Sequence, residues 1–270
     1  MKTTKAGKPV PYPECRGSVD HLSYPAFAEI KFDGEYTVIH WHRDLACLAM
    51  NKNGKCREDF CDLNEIKARL ERSEATSATL MAELYYSDGH SGRLYDLLSN
   101  KENDDLHLAV FDCVGLNGTH IGNQPFIERR EVLHELLSDS LFMPEGRIVN
   151  NRNELDEFFS LKCVQGYEGI VAKNLDSTVV MGPCSWAKMK YKDRSDYSVI
   201  QIDNGKERIE VAVTGRNTSN QITVTNVGVK APNKYKKHIS LGDSVTIEHQ
   251  GVLPSGSLRH PVLIPRKEWK

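Results

Sequence analysis

The chain has 270 residues, of which 39% are hydrophobic, 27% charged and 8% aromatic. That length amounts to about two domains, with enough chain to bury a core in each. Ordinary apolar content and a formal net charge of −2 exclude global disorder, and no apolar run approaches the ~18 residues that a membrane-spanning helix needs.

The N-terminal stretch MKTTKAGKPVPYPECRG starts basic but has no apolar segment behind it, so a secretory leader is not expected and the expected location is cytoplasmic. Residues 26–41 read as extended. Ala28, Ile30 and Phe32 alternate with Glu29, Lys31 and Asp33, and Asp33-Gly34 supplies a turn. Residues 62–74 predict a helix, with Asp62 and Glu65 at capping-box spacing and Leu63, Ile66 and Leu70 on one face. Strands follow at 79–86 and 107–113, helices at 126–138 and 153–160, and short apolar runs at 169–173 and 185–191 return to strand. The first 190 or so residues are therefore mixed α and β. After about residue 194 the segments 196–203, 207–214, 221–229 and 244–249 are short, β-rich and separated by Gly, Asn or Pro, with no helical period. Four to five strands in that length suit a small barrel of the oligonucleotide-binding (OB) type. The expected division is residues 1–192 and 193–270, with Tyr191-Lys192-Asp193-Arg194-Ser195 as the hinge.

Seven cysteines (Cys15, Cys47, Cys56, Cys61, Cys113, Cys163 and Cys184) include no C-x-x-C pair. Their odd count and irregular spacing fit reduced thiols better than a disulfide framework or a zinc site. His40 and His42 share a strand face without a third ligand nearby in sequence, and packing is the expected reading. Charge is distributed unevenly. From Lys188 onward there are 15 Lys+Arg against 8 Asp+Glu, a balance of +7 that leaves −9 on the first 187 residues. Basic clusters with interleaved aromatics, Lys188-Met189-Lys190-Tyr191-Lys192 and Lys234-Tyr235-Lys236-Lys237-His238, point to a polyanionic partner.

The chemistry concentrates on charged residues within apolar strands. At spacing two, Glu29, Lys31 and Asp33 are expected on one strand face. Glu83 lies inside Leu80–Tyr85, Asp112 follows Phe111 in an apolar strand, Glu168 and Lys173 bracket Gly169–Ala172, and Trp186, Lys188 and Lys190 share a face. Ions in such strands cost desolvation unless they converge. A pocket with one nucleophilic lysine, two carboxylates for a divalent cation and two lysines for phosphates is a nucleotide-transfer site.

Lys31-Phe32-Asp33-Gly34 resembles the K-x-D-G motif of the covalent nucleotidyltransferases, which include ATP-dependent DNA ligases, RNA ligases and mRNA capping enzymes. Glu83, Phe111, Glu168 and Lys188 follow in the order of that superfamily's other motifs, at intervals of 52 residues from Lys31 to Glu83, 85 to Glu168 and 20 to Lys188. Pro125–Leu133, with its Glu128-Arg129-Arg130, is similar to the P-L-x-E-R-R-x-x-L stretch of DNA ligases. Pro254–Pro261 looks like the closing strand of their OB domain. The resemblance implies a minimal two-domain ATP-dependent DNA ligase, an α+β nucleotidyltransferase (adenylation) domain followed by an all-β OB-fold barrel, without the helical DNA-encircling domain of larger relatives.

What it implies residue by residue is a three-step sealing of 5′-phosphate/3′-hydroxyl nicks. Lys31 takes AMP from ATP, AMP moves to the 5′-phosphate, and the 3′-hydroxyl displaces it. Asp33 orients the ribose or the lysine; Glu29, Lys52, Phe111, Lys188 and Lys190 bind the nucleotide, with Phe111 stacked on adenine and Glu29 near the base. Glu83 and Glu168 position Mg²⁺, with Mn²⁺ as the alternative, and neighbouring positive charge is expected to depress the Lys31 pKa. Nicked duplex DNA is the expected partner, RNA-containing duplexes the variant, a monomer the default state, and DNA repair or replication the family's setting. Tyr36, Lys52 and Pro183 stand where the family carries arginines, and Arg266–Lys270 aligns with the last motif in two registers. The alternatives are an RNA or mixed-strand ligase of the same superfamily and a non-catalytic nucleic-acid-binding protein on a ligase scaffold.

Overall fold

A computed structural model describes residues 13–57, 60–86, 105–137, 141–179, 182–216, 222–253 and 255–269. The chain divides into two compact units, one ending at Met189 and the next beginning at Lys190. Among the described residues no helix is long and apolar enough to cross a membrane.

The first unit holds two sheets. One joins β1 (Pro13–Arg16), β2 (Ala26–Lys31), β9 (Gly146–Val149), β10 (Gly169–Asn174) and β11 (Gly182–Lys190) in the order β1-β11-β10-β2-β9. The other joins β3 (Gly34–His42), β4 (Cys47–Asn51), β5 (Cys56–Arg57), β6 (Ser77–Tyr86), β7 (Leu106–Leu116) and β8 (Thr119–His120) in the order β5-β4-β3-β6-β7-β8. Strand alternation sorts the side chains into layers. Ile39, Leu80, Ala82, Leu84 and Val110 face outward onto α1 (Cys61–Arg72) and α2 (Phe126–Leu137). Ala26, Ala28, Ile170 and Ala172 form the floor under α3 (Arg152–Val164). A third cluster with members from both sheets (Tyr36, Val38, Met81, Val114, Cys184 and Trp186) lies between them. The sheets are thus covered outside by helices and face one another across the layer that carries the charged strand residues.

Two helix starts differ from expectation in one case and exceed it in the other. At α1 the residue before the helix, Phe60, makes no side-chain cap, so the expected capping box does not form. Asp62 Oδ2 instead accepts from the Leu108 N–H at 2.8 Å, because tying the helix to β7 satisfies a backbone donor that the helix start cannot reach. At α3, Asn151 Oδ1 accepts from Glu154 N at 3.0 Å while the Glu154 carboxylate accepts from Asn150 N at 2.9 Å. Such a cap contributes about 1 kcal/mol.

The second unit is a closed barrel of β12 (Asp193–Asp203), β13 (Arg208–Arg216), β14 (Ile222–Lys230), β15 (Ser244–His249) and β16 (Val262–Leu263), ordered β12-β13-β14-β16-β15. Its core is β-branched: Val199, Ile209, Val211, Val229, Val245 and Ile247 are buried, as alternating strands of a small barrel require. The segment expected to close the barrel does not. Pro254 lies outside the described residues, the segment after it forms a single bridge, Leu258 to Val252, and β16 closes the sheet by pairing with both β14 and β15. A short helix, α4 (Asn233–Lys236), and a turn of 3₁₀-helix at Lys267–Trp269 interrupt the β pattern, since each is too brief to leave a period in the sequence.

Candidate active site

β2 brings Lys31 to the edge of the layer between the sheets. β2 and β10 pair antiparallel with Lys31 opposite Gly169 and Glu29 opposite Val171, so Glu168, one residue before β10, falls beside Lys31. The two side chains form an ion pair, Lys31 Nζ donating to Glu168 Oε2. Lys31 Nζ also donates to the Phe32 carbonyl at 3.2 Å. β2 ends at Lys31, so Asp33 lies in the turn to β3 rather than on the strand face with Glu29 and Lys31; its carboxylate nevertheless acts on both Lys31 and Glu83.

The turn explains the glycine of the motif. A Cβ on Gly34 would fall 2.1 Å from the Leu84 carbonyl oxygen, so only glycine lets β3 begin against β6. The Gly34 N–H then donates to Glu83 Oε1 at 3.1 Å, aiming that carboxylate at the lysine. Glu83 lies opposite Tyr36 on β3, on the inner face of the second sheet with Met81.

Three carboxylates around one ammonium set the electrostatics. Burial alone pulls the Lys31 pKa down, but Glu168, Glu83 and Asp33 outweigh it and hold the group above the ordinary lysine value. The expected depression belongs to the site with a divalent cation in place; the charges that surround Lys31 in the protein itself are negative. Burial pushes the Glu83 carboxyl up to about 7, Lys31 pulling against it and Glu168 and Asp33 adding to it. Two carboxylates face a lysine that only one of them needs.

Behind Lys31, the same sheet face carries a second, fully buried ionic group. Glu29 is paired with Lys173 Nζ at 2.5 Å and Arg130 Nη1 at 3.0 Å. Lys173 has no exposed surface, donates to the Phe111 carbonyl at 3.1 Å, and lies 4.3 to 5.0 Å from the ring centroids of Trp186, Phe126 and Phe111. Cation–π contacts of this kind are strongest where water is excluded. Phe111 occupies a bulge: Val110 pairs with Ala82 and Asp112 with Met81, leaving it without a cross-strand partner. Its ring meets Trp186 edge-on at 6.2 Å and Tyr36 at 6.3 Å. Bulges re-aim side chains and recur beside active sites. Asp112, fully buried, is clamped by both arms of Arg129, Nε to Oδ1 and Nη2 to Oδ2, each at 2.8 Å.

Lys188 is half-buried on β11. It follows Trp186 by two residues and so projects to the face on which Trp186 meets Lys173. Lys190 ends β11 and is the first residue of the second unit. Lys52 is exposed in the turn from β4 to β5, at the sheet end where Thr37 pairs with Asn51 and Tyr36 with Glu83. That turn is fixed from within. Asn51 Oδ1 accepts from the N–H of Asn53 and of Lys55, its amide donates to Glu35 Oε1 at 2.8 Å, and Arg57 donates twice to Glu35 Oε2 at 2.7 and 2.8 Å.

Residues 11–192 match the family model described as ATP dependent DNA ligase domain. The chain belongs to that family. Among curated proteins, the DNA ligase of Pyrobaculum islandicum is 27% identical over 208 residues, covering 72% of this chain and 34% of that protein. The DNA ligase of Sulfophobococcus zilligii is 28% identical over 206 residues, covering 70% and 33%. The chain thus spans about a third of the length of these relatives. Among solved structures, a Lig E DNA ligase described as binding DNA with a minimal scaffold superposes with a TM-score of 0.70 at 16% identity, over 95% of this chain and 98% of that one. The ligase domain of LigD from M. tuberculosis superposes at 0.54 with 16% identity over 96% and 94%. The fold is that of the ligase nucleotidyltransferase domain followed by an OB-type barrel.

Within the ligase fold, several further residues build the site, though the sequence assigned them no role there. Arg129 and Arg130 are 0% and 6% exposed on α2 and hold the strands that carry Phe111 and Glu29. Their signal was the Glu128-Arg129-Arg130 stretch, whose two adjacent arginines turn inward where a surface helix would keep charges in water. Lys173 was singled out as an ion beside an apolar strand, without its partners, whereas Glu35 and Arg57 were not singled out at all.

Proposed function

We propose that this chain is an ATP-dependent DNA ligase that seals nicks in duplex DNA through an adenylate held on Lys31. The observation that carries the proposal is the convergence of Lys31, Glu168, Glu83 and Asp33 at one end of the layer between the sheets, with the aromatic platform of Phe111, Tyr36 and Trp186 behind them. ATP is a substrate here. Lys31 Nζ, once neutral, attacks the α-phosphorus; the N–P bond forms as the P–O bond to pyrophosphate breaks. Phe111 offers its ring to adenine, Glu29 lies toward the base, Asp33 serves the ribose, and Lys188, Lys190 and Lys52 supply positive charge for phosphates.

Two carboxylates fit a divalent cation, since Glu83 and Glu168 offer hard oxygen donors on either side of Lys31. An ion such as Mg²⁺ keeps waters and takes substrate oxygens, so one or two protein carboxylates serve it. Bound there, the cation would neutralise the carboxylates that keep Lys31 protonated. What this chain's residues do is hold the lysine as an ammonium until that compensation arrives. In the second step the nick's 5′-phosphate takes AMP from Lys31, and in the third the 3′-hydroxyl displaces AMP. The basic surface from Lys188 onward supplies salt-sensitive backbone binding. The names of the relatives support DNA over RNA as the strand sealed.

Sealing of a 5′-labelled nicked duplex, resolved on a denaturing gel with ATP and Mg²⁺, tests the assignment. A ligated strand that is lost in Lys31→Ala is expected. Retardation of the nicked duplex by a folded protein that never joins it would leave a binding protein on a ligase scaffold.

A further inference from the structure

β1 and β11 run parallel at the edge of the first sheet, with Glu14 opposite Pro183 and Arg16 opposite Ala187. The register slips between these pairs, so Cys15 alone faces the stretch Cys184–Trp186. Both sulfurs enter the apolar layer between the sheets, Cys184 buried and Cys15 half-buried. The two thiols belong to the same cluster of side chains in that layer and act on one another's titration. Neither residue has a part in the ligation chemistry. Paired strands lie about 4.8 Å apart, within the ~4.4–6.8 Å Cα separation that a disulfide bridges.

We propose that Cys15 and Cys184 are an oxidisable dithiol, a modification site that peroxide closes reversibly into a disulfide across β1 and β11. The step balances with hydrogen peroxide as oxidant. The Cys184 sulfur attacks one peroxide oxygen; the O–O bond breaks, and hydroxide leaves with the thiol's former proton as water. The Cys15 sulfur then attacks the resulting sulfenic acid, the S–S bond forms, and the hydroxyl leaves with the Cys15 proton as a second water. Each sulfur gives up one electron, and the two peroxide oxygens are reduced.

The surroundings favour this chemistry at Cys184. The thiolate is the reactive form. The Cys15 thiol lowers the Cys184 pKa against the effect of burial, assisted by the backbone N–H groups of Trp186 and Cys184 and by the charge of Lys173. Cys184 raises Cys15 in turn. Cys15, the half-exposed member, gives a small oxidant its approach. Disulfides of this reversible kind are the ones found in reducing compartments.

Closure has a consequence for the nucleotide site, and this part rests on the ligase reading. A disulfide fixes the two sulfurs about 2.0 Å apart. Cys184 is two residues from Trp186, which walls the Lys173 cation 4.3 Å from its ring, and four residues from Lys188. Pulling β11 toward β1 moves the wall against which Lys173 and Phe111 are set. Adenylylation should therefore slow on oxidation.

The test uses the full chain with the exposed thiols silenced by Cys56→Ser and Cys61→Ser. Stoichiometric hydrogen peroxide is followed by alkylation and non-reducing peptide mapping, before and after a dithiol reductant. A linked Cys15–Cys184 peptide that the reductant reverses is expected, and its absence from Cys15→Ser and Cys15→Ala, each checked for folding by circular dichroism. Free alkylated Cys184, or sulfinic acid without a cross-link, would overturn the proposal. In parallel, labelled AMP uptake from ATP should fall several-fold in the oxidised protein, recover on reduction, and stay constant in both Cys15 variants. A cross-link with unchanged uptake would overturn the coupling to the site. Failure of the reduced protein to take label would count against the ligase reading, while the peptide map still decides the disulfide.

Discussion

Lys31 and Glu168, 137 residues apart in sequence, meet as an ion pair because β2 and β10 run antiparallel with Lys31 opposite Gly169. The pair keeps the lysine charged, so its removal should be visible in pH dependence. Glu168→Gln takes away the strongest group raising the Lys31 pKa, and the pKa must fall. The rise of adenylylation rate with pH is expected to move to lower pH, while the rate at saturating Mg²⁺ drops on the order of 10²-fold, the usual loss for a charge-stabilising group. Single-turnover adenylylation measured across pH checks both. An unshifted profile would show that Glu168 does not govern the lysine.

Glu83 carries a cost to stability. Its carboxyl, ordinarily near 4.5, is pushed up to about 7 by burial. The folded protein thus binds this proton more tightly than the unfolded chain. Stability from this group is full below pH 4.5, declines as pH rises, and is lost above about pH 7. Glu83→Gln should therefore be more stable than the parent at pH 8, by roughly 3 kcal/mol, and close to it near pH 4.5. Denaturant unfolding at the two pH values, alongside loss of adenylylation, measures the trade.

The Arg129–Asp112 pair is entirely buried. Breaking such a pair from one side costs about 3–5 kcal/mol. Arg129→Met should lose that much in denaturant unfolding, and Arg129→Lys most of it, since lysine cannot reproduce the two-armed contact. Because Asp112 neighbours the Phe111 bulge, weaker ATP binding should accompany the loss in whatever fraction remains folded.

Lys173→Met retains the apolar length of the side chain but removes the charge from its three rings, Glu29 and the Phe111 carbonyl. Arg130 still neutralises Glu29, so the protein should fold with a deficit of about 1–3 kcal/mol. The Phe111 platform loses its anchor, and KM for ATP should rise more than kcat falls. Steady-state adenylylation against ATP concentration separates the two.

These partners mark how far the sequence could be read. Lys31 and Glu83 were legible because each is an ion within an apolar strand, and Glu168 because it borders one; ions there must converge. Strand alternation then ordered them on facing sheets. Asp62 also looked legible and was not: capping-box spacing is a local signal, and a tertiary bond to Leu108 prevailed. Arg130 meets Glu29 across 101 residues and Arg129 meets Asp112 across 17; nothing local marks such pairs before the helix is docked. The depression expected of Lys31 belongs to the loaded site, with a divalent cation beside the lysine, whereas the protein alone surrounds it with carboxylates. In the barrel, β16 was too short to leave an alternation, and the Pro254–Pro261 segment before it, which resembles the family's closing strand, drew the expectation.

Lys52 offers a gain-of-function check. Its turn is held rigidly by Asn51, Glu35 and Arg57, so a longer, two-pronged side chain can be placed there without disturbing the loop. Lys52→Arg should speed nick sealing several-fold, and by more than it changes adenylylation, because guanidinium binds phosphate in a fork that ammonium lacks. Lys52→Ala should slow sealing by about as much. Sealing of pre-adenylylated nicks isolates the step.

The most direct measurement is the intact mass of the purified protein after incubation with ATP and Mg²⁺, followed by peptide mapping of any adduct. One AMP attached to Lys31, absent from Lys31→Ala and discharged by a nicked duplex but not by an intact one, is the expected result. An unmodified mass in a folded, ATP-binding protein, or an adduct that maps elsewhere, would contradict the account.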